Sequence, residues 1–332
     1  MMNILFCSVG RRCELLKNFR QTLGDDLKIV VTDNSPYAPA PAFADVCYRV
    51  PLINDPKYVP MILDICKKEK IDAVTTLIDP EISILAAHRA EFEELGVEVL
   101  APYKETADLC FDKYEMFKYL KENGVPTVLT FGSFADFKES YDRGEISFPV
   151  FVKPRTGSGS VGARRVDTLE LLEEVTARSP ELIIQEFMNA KDMDADVYVD
   201  TVSQEVVAIF SKKKISTTIG GANKTISFKD DALFEFVKNA MKVFKFNGPL
   251  DMDLFYKDGQ YYLSEINPRF GGAYLHAYGA GVDFPSFIYR NVVKKEANKP
   301  VIGEYEEDVV MLMYDSVVID KEKNLMDRMQ EI

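Results

Sequence analysis

The pattern of hydrophobic and polar positions in the first third of the chain alternates short apolar runs with stretches of helical periodicity. Alternation of this kind predicts a parallel sheet with helices on its faces, so the expected fold class is α/β. In open sheets of this type, ligands bind at the carboxyl ends of the strands. The predicted strands are 3–8, 28–32, 73–77 and 98–100, and the predicted helices are 11–23, 56–70 and 80–95.

The next part of the chain predicts a small unit built around a flexible loop. This loop, at 156–162, is rich in glycine and serine and lies between a strand and a helix. The order of strand, flexible loop, helix and strand is typical of a mobile lid. The predicted elements are a helix over 104–123, which ends at an Asn-Gly pair, a strand over 148–154, a helix over 169–176 and a strand over 182–186.

The remainder predicts an antiparallel sheet. A Lys-Asp-Gly-Gln sequence favours a hairpin turn between its last two strands, which would place Asp253 and Glu265 opposite each other. The tail after Pro300 predicts an extra strand over 308–320 and a charged segment over 321–332. We expect this tail to pack on the same lobe or on a second subunit of a homodimer. The predicted strands of the sheet are 196–202, 206–213, 248–256 and 260–265, with a helix over 232–244.

Composition and charge exclude several classes of protein. The 332 residues are 47% hydrophobic and 28% charged, as in globular rather than disordered proteins. The net charge of −13 would repel nucleic acid phosphates, so we expect no nucleic acid partner. The first residues run straight into a strand without signal-peptide features, and no apolar run is long enough to span a bilayer. We therefore expect a cytoplasmic protein that does not bind a membrane.

Cysteine and histidine content limits the possible chemistry. The five cysteines have spacings that match neither a zinc site nor a C-x-x-C redox pair, so we expect reduced thiols. With only two histidines, the sequence lacks the residues for a His-rich metal site or a chymotrypsin-like triad.

A candidate magnesium site lies at the end of the last predicted strand. Glu265 and Asn267 are separated by one residue, so on a strand they project to the same face, and Asp253 would face them across the hairpin. Mg²⁺ prefers oxygen ligands and takes only a few of them from the protein. The alternative is that these are ordinary polar residues at a strand end.

Two further segments carry candidate ligand-binding residues. The loop at 156–162 follows Lys153 and has the backbone freedom to close over phosphates, although it matches neither a P-loop nor the kinase glycine-rich loop. The segment 8–13 has one glycine, which excludes the dinucleotide fingerprint. Arg11 and Arg12 in that segment are either solvated at the start of a helix or bind an anion, and the sequence leaves both open.

Four motifs occur in an order that resembles the ATP-grasp superfamily. They are Phe151-Val152-Lys153-Pro154, the Gly/Ser loop, Ile184-Gln185-Glu186-Phe187, and Glu265-Ile266-Asn267-Pro268-Arg269-Phe270-Gly271-Gly272. The chain resembles most a single module of the carbamoyl phosphate synthetase large chain. This resemblance implies three units: a pre-ATP-grasp α/β domain over 1–102, a linker helix and lid subdomain over 103–185, and a catalytic lobe with a C-terminal extension over 186–332.

The resemblance also implies roles for individual residues. Arg269 would stabilise the transferring phosphoryl group, and Lys224 would contact the acceptor or the γ-phosphate, whereas we expect Lys212 and Lys214 to be solvated. Asp253, Glu265 and Asn267 would bind Mg²⁺ or Mn²⁺. The ATP-binding residues would be Lys113 and Lys153 for the phosphates, Gly157, Ser158, Gly159, Ser160, Val161 and Gly162 in the lid loop, Glu186, Phe187 and Met188 at the adenine, and Asp192 at the ribose.

The activity implied by these roles is an ADP-forming ligase that uses Mg-ATP. It would activate a small-molecule carboxylate as an acyl phosphate for attack by an amine, a thiol or another nucleophile. One alternative is phosphorylation of bicarbonate or carbamate, and another is a regulatory module that binds nucleotide without turnover. Loops at 9–13, 33–41, 78–81 and 271–281 are expected to line the acceptor site, where His276 and Tyr274 either contact substrate or pack.

Overall fold

A computed structural model of the chain describes residues 1–157, 162–218 and 221–331. The strands within these ranges form three sheets. The strands are β1 (Met2–Cys7), β2 (Leu27–Asp33), β3 (Val46–Arg49), β4 (Ala73–Thr76), β5 (Glu98–Val99), β6 (Thr130–Phe131), β7 (Val150–Pro154), β8 (Arg164–Val166), β9 (Leu182–Glu186), β10 (Lys191–Val199), β11 (Val206–Thr218), β12 (Gly221–Phe228), β13 (Gly248–Lys257), β14 (Gln260–Asn267), β15 (Val310–Leu312) and β16 (Met329–Gln330).

Helices cover the faces of these sheets and connect the strands. The α-helices are α1 (Cys13–Leu23), α2 (Tyr58–Glu69), α3 (Asp79–Ala87), α4 (Arg89–Glu94), α5 (Lys104–Phe111), α6 (Lys113–Glu122), α7 (Phe134–Asp142), α8 (Leu169–Arg178), α9 (Asp231–Met241), α10 (Leu275–Gly279), α11 (Phe284–Tyr289) and α12 (Glu322–Arg328).

The N-terminal sheet is parallel, with the strand order β16-β3-β2-β1-β4-β5. Its central strands are buried on both faces, as expected for a parallel sheet covered by helices. The chain leaves β1 toward β2 on one side, and β4 lies on the other side of β1. This reversal of strand order opens a crevice at the carboxyl ends of β1 and β4, which is the usual ligand position in such sheets.

The middle of the chain forms a small antiparallel sheet with the order β6-β9-β7-β8. Helices α7 and α8 cover it through a separate apolar cluster that includes Phe137, Leu172 and Ile184. The loop between β7 and β8 contains the predicted phosphate-covering segment. Within it, residues 158–161 lie outside the described ranges.

The large sheet has the order β14-β13-β10-β11-β12-β15 and is antiparallel throughout. Strands β13 and β14 form the predicted hairpin, and Asp253 pairs directly with Glu265. A register shift follows this pair, because Leu254 pairs with Leu263 and leaves Ser264 as the extra residue of a bulge. The bulge increases the local twist of β14 at the point where its side chains enter the site.

Several predicted elements have different bounds in the structure. The structure has two helices in place of each single helix expected over 80–95 and 104–123. The division between α5 and α6 lies at Asp112. Its carboxylate caps α6 by accepting hydrogen bonds from the backbone N–H groups of Tyr114 and Glu115. The strand expected over 308–320 is limited to β15. The elements that the pattern missed are β3, β6, α7, β8, β12, α10, α11 and β16.

The N-terminal sheet and the large sheet share one apolar core. Phe19 on α1 contacts Phe270, with ring centroids 5.7 Å apart and an edge-on geometry. Phe270 also packs on Tyr274, with centroids 4.8 Å apart. Tyr274 is therefore a core residue, and its hydroxyl accepts from the backbone N–H of Phe284. Among the described residues, no helix is long and apolar enough to cross a membrane.

Candidate active site

A cavity of about 800 Å³ lies between the small sheet and the large sheet. Both basic and acidic side chains face it, together with two aromatic side chains. The residues that line it include Lys113, Phe151, Lys153, Gly157, Asp192, Asp194, Lys214, Thr217, Thr218, Asp251, Asp253, Phe255, Glu265, Asn267, Arg269, Gly272 and Ala273.

The β13–β14 hairpin presents four oxygen-bearing side chains to this cavity. Asp253 lies opposite Glu265, and Asp251 lies opposite Asn267. The Nδ2 amide of Asn267 donates to Oδ2 of Asp253 over 3.2 Å. Because residues two apart on a strand share a face, the hairpin brings all four to one side. The structure thus brings together the three predicted metal ligands and adds Asp251, which the sequence reasoning missed.

Glu265 lies between the two lysines predicted to contact phosphates. Its Oε1 is 3.7 Å from Nζ of Lys113, and its Oε2 is 3.3 Å from Nζ of Lys153. Lys113 also donates to the carbonyl of Gly157 at the start of the lid loop, over 2.5 Å. Burial lowers the pKa of Lys113, and the neighbouring Glu265 partly offsets that effect. These contacts connect the hairpin, helix α6 and the lid strand β7 around one carboxylate.

Lys214 lies among three carboxylates on the floor of the cavity. Its Nζ is 2.5 Å from Asp253, 2.8 Å from Asp194 and 2.9 Å from Asp192. The expectation that Lys214 is solvated is therefore wrong, because its side chain is only 11% exposed. Burial alone would lower the pKa of Lys214, but the three carboxylates hold it well above its usual value, so the ammonium stays charged.

Lys214 also determines the charge of Asp253. Burial alone would raise the pKa of Asp253, but the attraction of Lys214 and hydrogen bonding from Asp194 hold that pKa at about 2. Asp253 is consequently ionised at neutral pH and is ready to bind a cation. The pKa of its neighbour Asp194 is instead raised by burial.

A second buried ion pair lies beside this cluster. Lys212 is fully buried, with its Nζ 2.5 Å from Asp196 and 3.6 Å from Asp251, so its predicted solvation is also wrong. Burial raises the pKa of Asp251 to about 6, although Lys212 acts in the opposite direction. Gly271 packs against the same carboxylates, since a Cβ atom there would lie 2.9 Å from both Asp196 and Asp251.

Arg269 faces the cavity, and its guanidinium pairs with Asp79. Arg12 lies nearby and donates to the carbonyls of Phe270 and Gly271 over 2.8 and 2.7 Å. Burial and the charge of Arg269 lower the pKa of Arg12 to about 10. Arg12 is therefore half-buried and held by these two carbonyls, whereas Arg11 is exposed.

The residues predicted to bind adenine and ribose are only partly brought together. Asp192 lines the cavity, as do Phe151 and Phe255, neither of which was predicted to bind the nucleotide. Glu186 instead pairs with Lys257 at 2.7 Å. Phe187 and Met188 are half-buried beyond the end of β9 and do not line the cavity.

Other predicted residues lie away from the cavity or outside the described ranges. Lys224 is exposed on β12 and is not among the residues that line the cavity.

Gly157 and Gly162 flank the lid loop with φ angles of +96° and +77°, a conformation that favours glycine. His276 packs in the core, with Thr225 2.7 Å from Nδ1 and the Val309 carbonyl 2.9 Å from Nε2. The predicted lid residues Ser158, Gly159, Ser160 and Val161 lie outside the described ranges.

The cross-strand ion pairs that were missed carry a signal in the sequence. Asp192, Asp194 and Asp196 alternate along β10. Lys212 and Lys214 alternate in the same way on the neighbouring strand β11. Alternating charges on adjacent strands of a sheet predict cross-strand ion pairs. Without the strand register, the sequence does not show which Asp pairs with which Lys.

Known families match the two larger parts of the chain. The family described as "PylC-like, N-terminal domain" matches residues 4–100, and the family described as "ATP-grasp domain" matches residues 110–273. Residues 110–273 are thus an ATP-grasp domain, as the four motifs predicted. The ATP-grasp fold expected from the four motifs, with a parallel N-terminal α/β unit and an antiparallel lobe, is thereby confirmed.

Individual ATP-grasp proteins resemble this chain over most of its length. A carbamoyl phosphate synthase large chain from Pseudothermotoga lettingae is 26% identical over 276 residues, which are 79% of this chain and 24% of that protein. The crystal structure of an L-amino acid ligase from Bacillus licheniformis gives a TM-score of 0.67 at 21% identity, covering 90% of this chain and 75% of that one.

A second solved structure gives a similar result. It is an N5-carboxyaminoimidazole synthetase from Staphylococcus aureus in complex with ADP, with a TM-score of 0.72 at 17% identity, covering 90% of this chain and 79% of that one. Identities this low show the fold that these proteins share with the chain. The chain spans about a quarter of the length of the synthase large chain that it matches.

The ATP-grasp family uses Mg-ATP, and the donor set in the cavity fits that cation. Asp253, Glu265 and Asn267 carry oxygen atoms of the kind that Mg²⁺ prefers, and Asp253 is ionised. In the ranges that the structure describes, no group of three or more His, Cys, Asp or Glu side chains forms a metal site. Magnesium bound here would therefore depend on the Asn267 amide and on phosphate and water oxygens as well as on the two carboxylates.

Proposed function

We propose that this ATP-grasp protein is an ADP-forming ligase that activates a small-molecule carboxylate as an acyl phosphate for attack by an amine or another nucleophile. The observation that carries the proposal is the convergence, in one cavity, of the Asp253–Glu265–Asn267 oxygens with the cationic groups of Lys113, Lys153 and Arg269. Oxygens that suit Mg²⁺ and cations that suit phosphate are the two requirements of phosphoryl transfer.

The two steps of the reaction place different demands on the site. First, a carboxylate oxygen of the substrate attacks the γ-phosphorus of ATP, the bond to the bridging oxygen breaks, and ADP leaves. Second, the nucleophile attacks the acyl carbon, the bond to the phosphate oxygen breaks, and inorganic phosphate leaves while the amine loses a proton to water. Phosphoryl transfer needs positioning and charge neutralisation more than it needs a protein nucleophile.

The cationic side chains supply that positioning. Lys113 and Lys153 flank Glu265, where they would hold phosphate oxygens. Arg269 would neutralise the equatorial oxygens of the transferring group, because it is a fixed donor in a largely buried site. Asp253, Glu265 and Asn267 would hold Mg²⁺, which when bound would supply positive charge to the phosphates.

The two ends of the cavity suit different parts of the reactants. Phe151 and Phe255 provide aromatic surfaces for a nucleobase, and Asp192 lies beside them as the proposed ribose contact. Asp251, Gly272 and Ala273 line the same cavity on the side of Arg269, whose guanidinium contacts Asp79 of the N-terminal unit. We place the carboxylate and the nucleophile at that end. An amine as nucleophile is supported by the acidic side chain there and by the similarity to an L-amino acid ligase.

The proposal is tested by measuring ADP release across panels of carboxylates and amines, with bicarbonate alone as a separate arm. Turnover that needs both a carboxylate and a nucleophile is expected. Turnover with bicarbonate alone would favour carbamate-type chemistry, and ATP binding without any turnover would favour a regulatory module. Glu265→Gln should abolish turnover with the fold intact, whereas Glu235→Gln, on the exposed face of α9, should not change it. Light scattering of the same samples tests whether the protein is a homodimer.

A further inference from the structure

The guanidinium of Arg269 is held by a carboxylate from the opposite unit of the protein. Its Nε lies 2.8 Å from Oδ1 of Asp79, and its Nη2 donates to Oδ2 of Asp79 over 3.1 Å. Both side chains are largely buried, at 15% and 13% exposed. The pair thus consists of one hydrogen bond, from Nη2, and a close ionic contact at Nε, which together restrain the position of the guanidinium.

Asp79 belongs to the N-terminal unit, not to the lobe that carries the predicted metal ligands. It is the first residue of α3 and follows β4 at the crevice beside β1. Arg12, in the loop between β1 and α1, donates to the carbonyls of Phe270 and Gly271. Two neighbouring loops of the N-terminal unit therefore hold the backbone and the side chain of the segment that directly follows the predicted metal ligands.

Without Asp79, the remaining contacts of Arg269 would leave its side chain poorly fixed. They are its bond to the Phe270 carbonyl at 3.1 Å and a long contact of 3.5 Å to Oδ1 of Asn267. The Arg12 guanidinium is close enough to repel Arg269, and the carboxylates of Asp251 and Asp253 attract it toward the hairpin. Asp79 is the contact that opposes this attraction.

We propose that Asp79 is a positioning residue for phosphoryl transfer, which acts through Arg269 and makes the catalytic site depend on the docked N-terminal unit. This inference rests on the proposed function, because it assigns Arg269 to the transferring group. It also explains why the crevice of the N-terminal sheet and the nucleotide cavity meet at this pair. A substrate in the crevice would lie beside the residue that orients the catalytic arginine.

The test compares Asp79→Asn with the wild-type protein under saturating substrates. We expect kcat to fall on the order of 10²-fold, because displacement of a catalytic group by about 1 Å has an effect of that size. The KM for ATP should stay unchanged, because Asp79 does not line the nucleotide cavity. Asp79→Glu retains the charge that Arg269 needs for folding but moves the carboxylate by one methylene, so it should also lower kcat.

A matched control is the ion pair between Arg20 and Asp45, which lies entirely within the N-terminal unit. Asp45→Asn removes an Arg–Asp contact without touching Arg269, so it should leave kcat unchanged. In an Arg269→Lys background, Asp79→Asn should lower kcat no further, because the two residues act as one. Additive losses, an unchanged kcat in both Asp79 variants, or a loss confined to KM would overturn the proposal.

A measurement that is independent of turnover separates this inference from the proposed function. In a ¹⁵N NMR spectrum, the guanidinium N–H groups of Arg269, of which Nη2 donates to Asp79, should be protected from solvent exchange. That protection should be lost in Asp79→Asn but kept in Asp45→Asn. If the wild-type protein shows no ligase turnover, the proposed function fails, and this spectrum still decides whether Asp79 orients Arg269. Unchanged protection in Asp79→Asn would contradict the positioning role.

Discussion

Replacing Lys214 by methionine tests whether the buried charges of the cavity floor depend on one ammonium group. The substitution keeps an unbranched side chain of similar length and removes the charge that Asp192, Asp194 and Asp253 share. Lys213 is the next residue on β11 and is exposed, with its ammonium over the ring of Phe228. Lys213→Met is therefore a control with the same change of charge on the same strand.

The distances in the structure set the expected size of the effect. At 2.5 Å from the ionised Asp253, the gross attraction at an effective dielectric constant of 20 is about 7 kcal/mol. Most of this attraction is offset by the cost of desolvating the ions. Removing only one partner of a buried pair nevertheless destabilises a protein by about 3–5 kcal/mol, because the other charge stays buried without compensation. Asp192 adds little, because it is 42% exposed and its charge is screened. We expect Lys214→Met to lower the free energy of unfolding by about 3–5 kcal/mol at pH 7.

Urea unfolding followed by circular dichroism measures this difference for both variants. Without the ammonium, the buried carboxylates have raised pKa values in the folded state. They therefore bind protons on folding at mildly acidic pH, and the deficit of Lys214→Met should shrink as the pH is lowered from 7 to 5. The reasoning is refuted if Lys214→Met is no less stable than Lys213→Met, or if its deficit does not change with pH.

Two further substitutions test the environment of Asp251. Gly271→Ala should lower turnover and should lower stability by about 1–3 kcal/mol, because its Cβ would lie 2.9 Å from the carboxylates of Asp196 and Asp251. Gly279→Ala is the control, because a Cβ there meets nothing within 4 Å. Equal melting temperatures of the two variants would contradict the close packing at Gly271. Burial raises the pKa of Asp251 to about 6, so its protonated form favours folding at low pH and that contribution is lost as the pH rises through 6. Asp251→Asn should thus gain stability relative to wild type between pH 4 and pH 8 in urea unfolding, and a difference that is the same at every pH would count against this assignment.

The sequence predicted the elements whose patterns are local. The alternation of strands and helices in the first third, the hairpin turn and the opposition of Asp253 and Glu265 all follow from short-range periodicity and turn chemistry. The missed strands β3 and β16 are short and lie at the edge of the parallel sheet. Such strands are determined by pairing with a neighbour, which short-range patterns do not reveal.

The site was predicted less completely than the fold, for the same reason. Lys153, Glu265 and Asn267 were identified from ordered motifs, Asp253 from the hairpin and Lys113 from the family resemblance. The structure brings all five together around one cavity. The cross-strand cage of Lys214 and the contact between Asp79 and Arg269 depend on the register of the strands and on docking of the two units. Neither can be derived from spacing along the chain.

The formation of an acyl phosphate is tested most directly by oxygen isotope transfer. A carboxylate substrate labelled with ¹⁸O, identified by ADP release, is converted in the presence of Mg-ATP and the nucleophile, and the released phosphate is analysed by mass spectrometry. The proposed ligase transfers one labelled oxygen from the carboxylate to phosphate in each turnover, and Glu265→Gln gives no labelled phosphate. Turnover that releases only unlabelled phosphate would contradict activation of the carboxylate by phosphorylation.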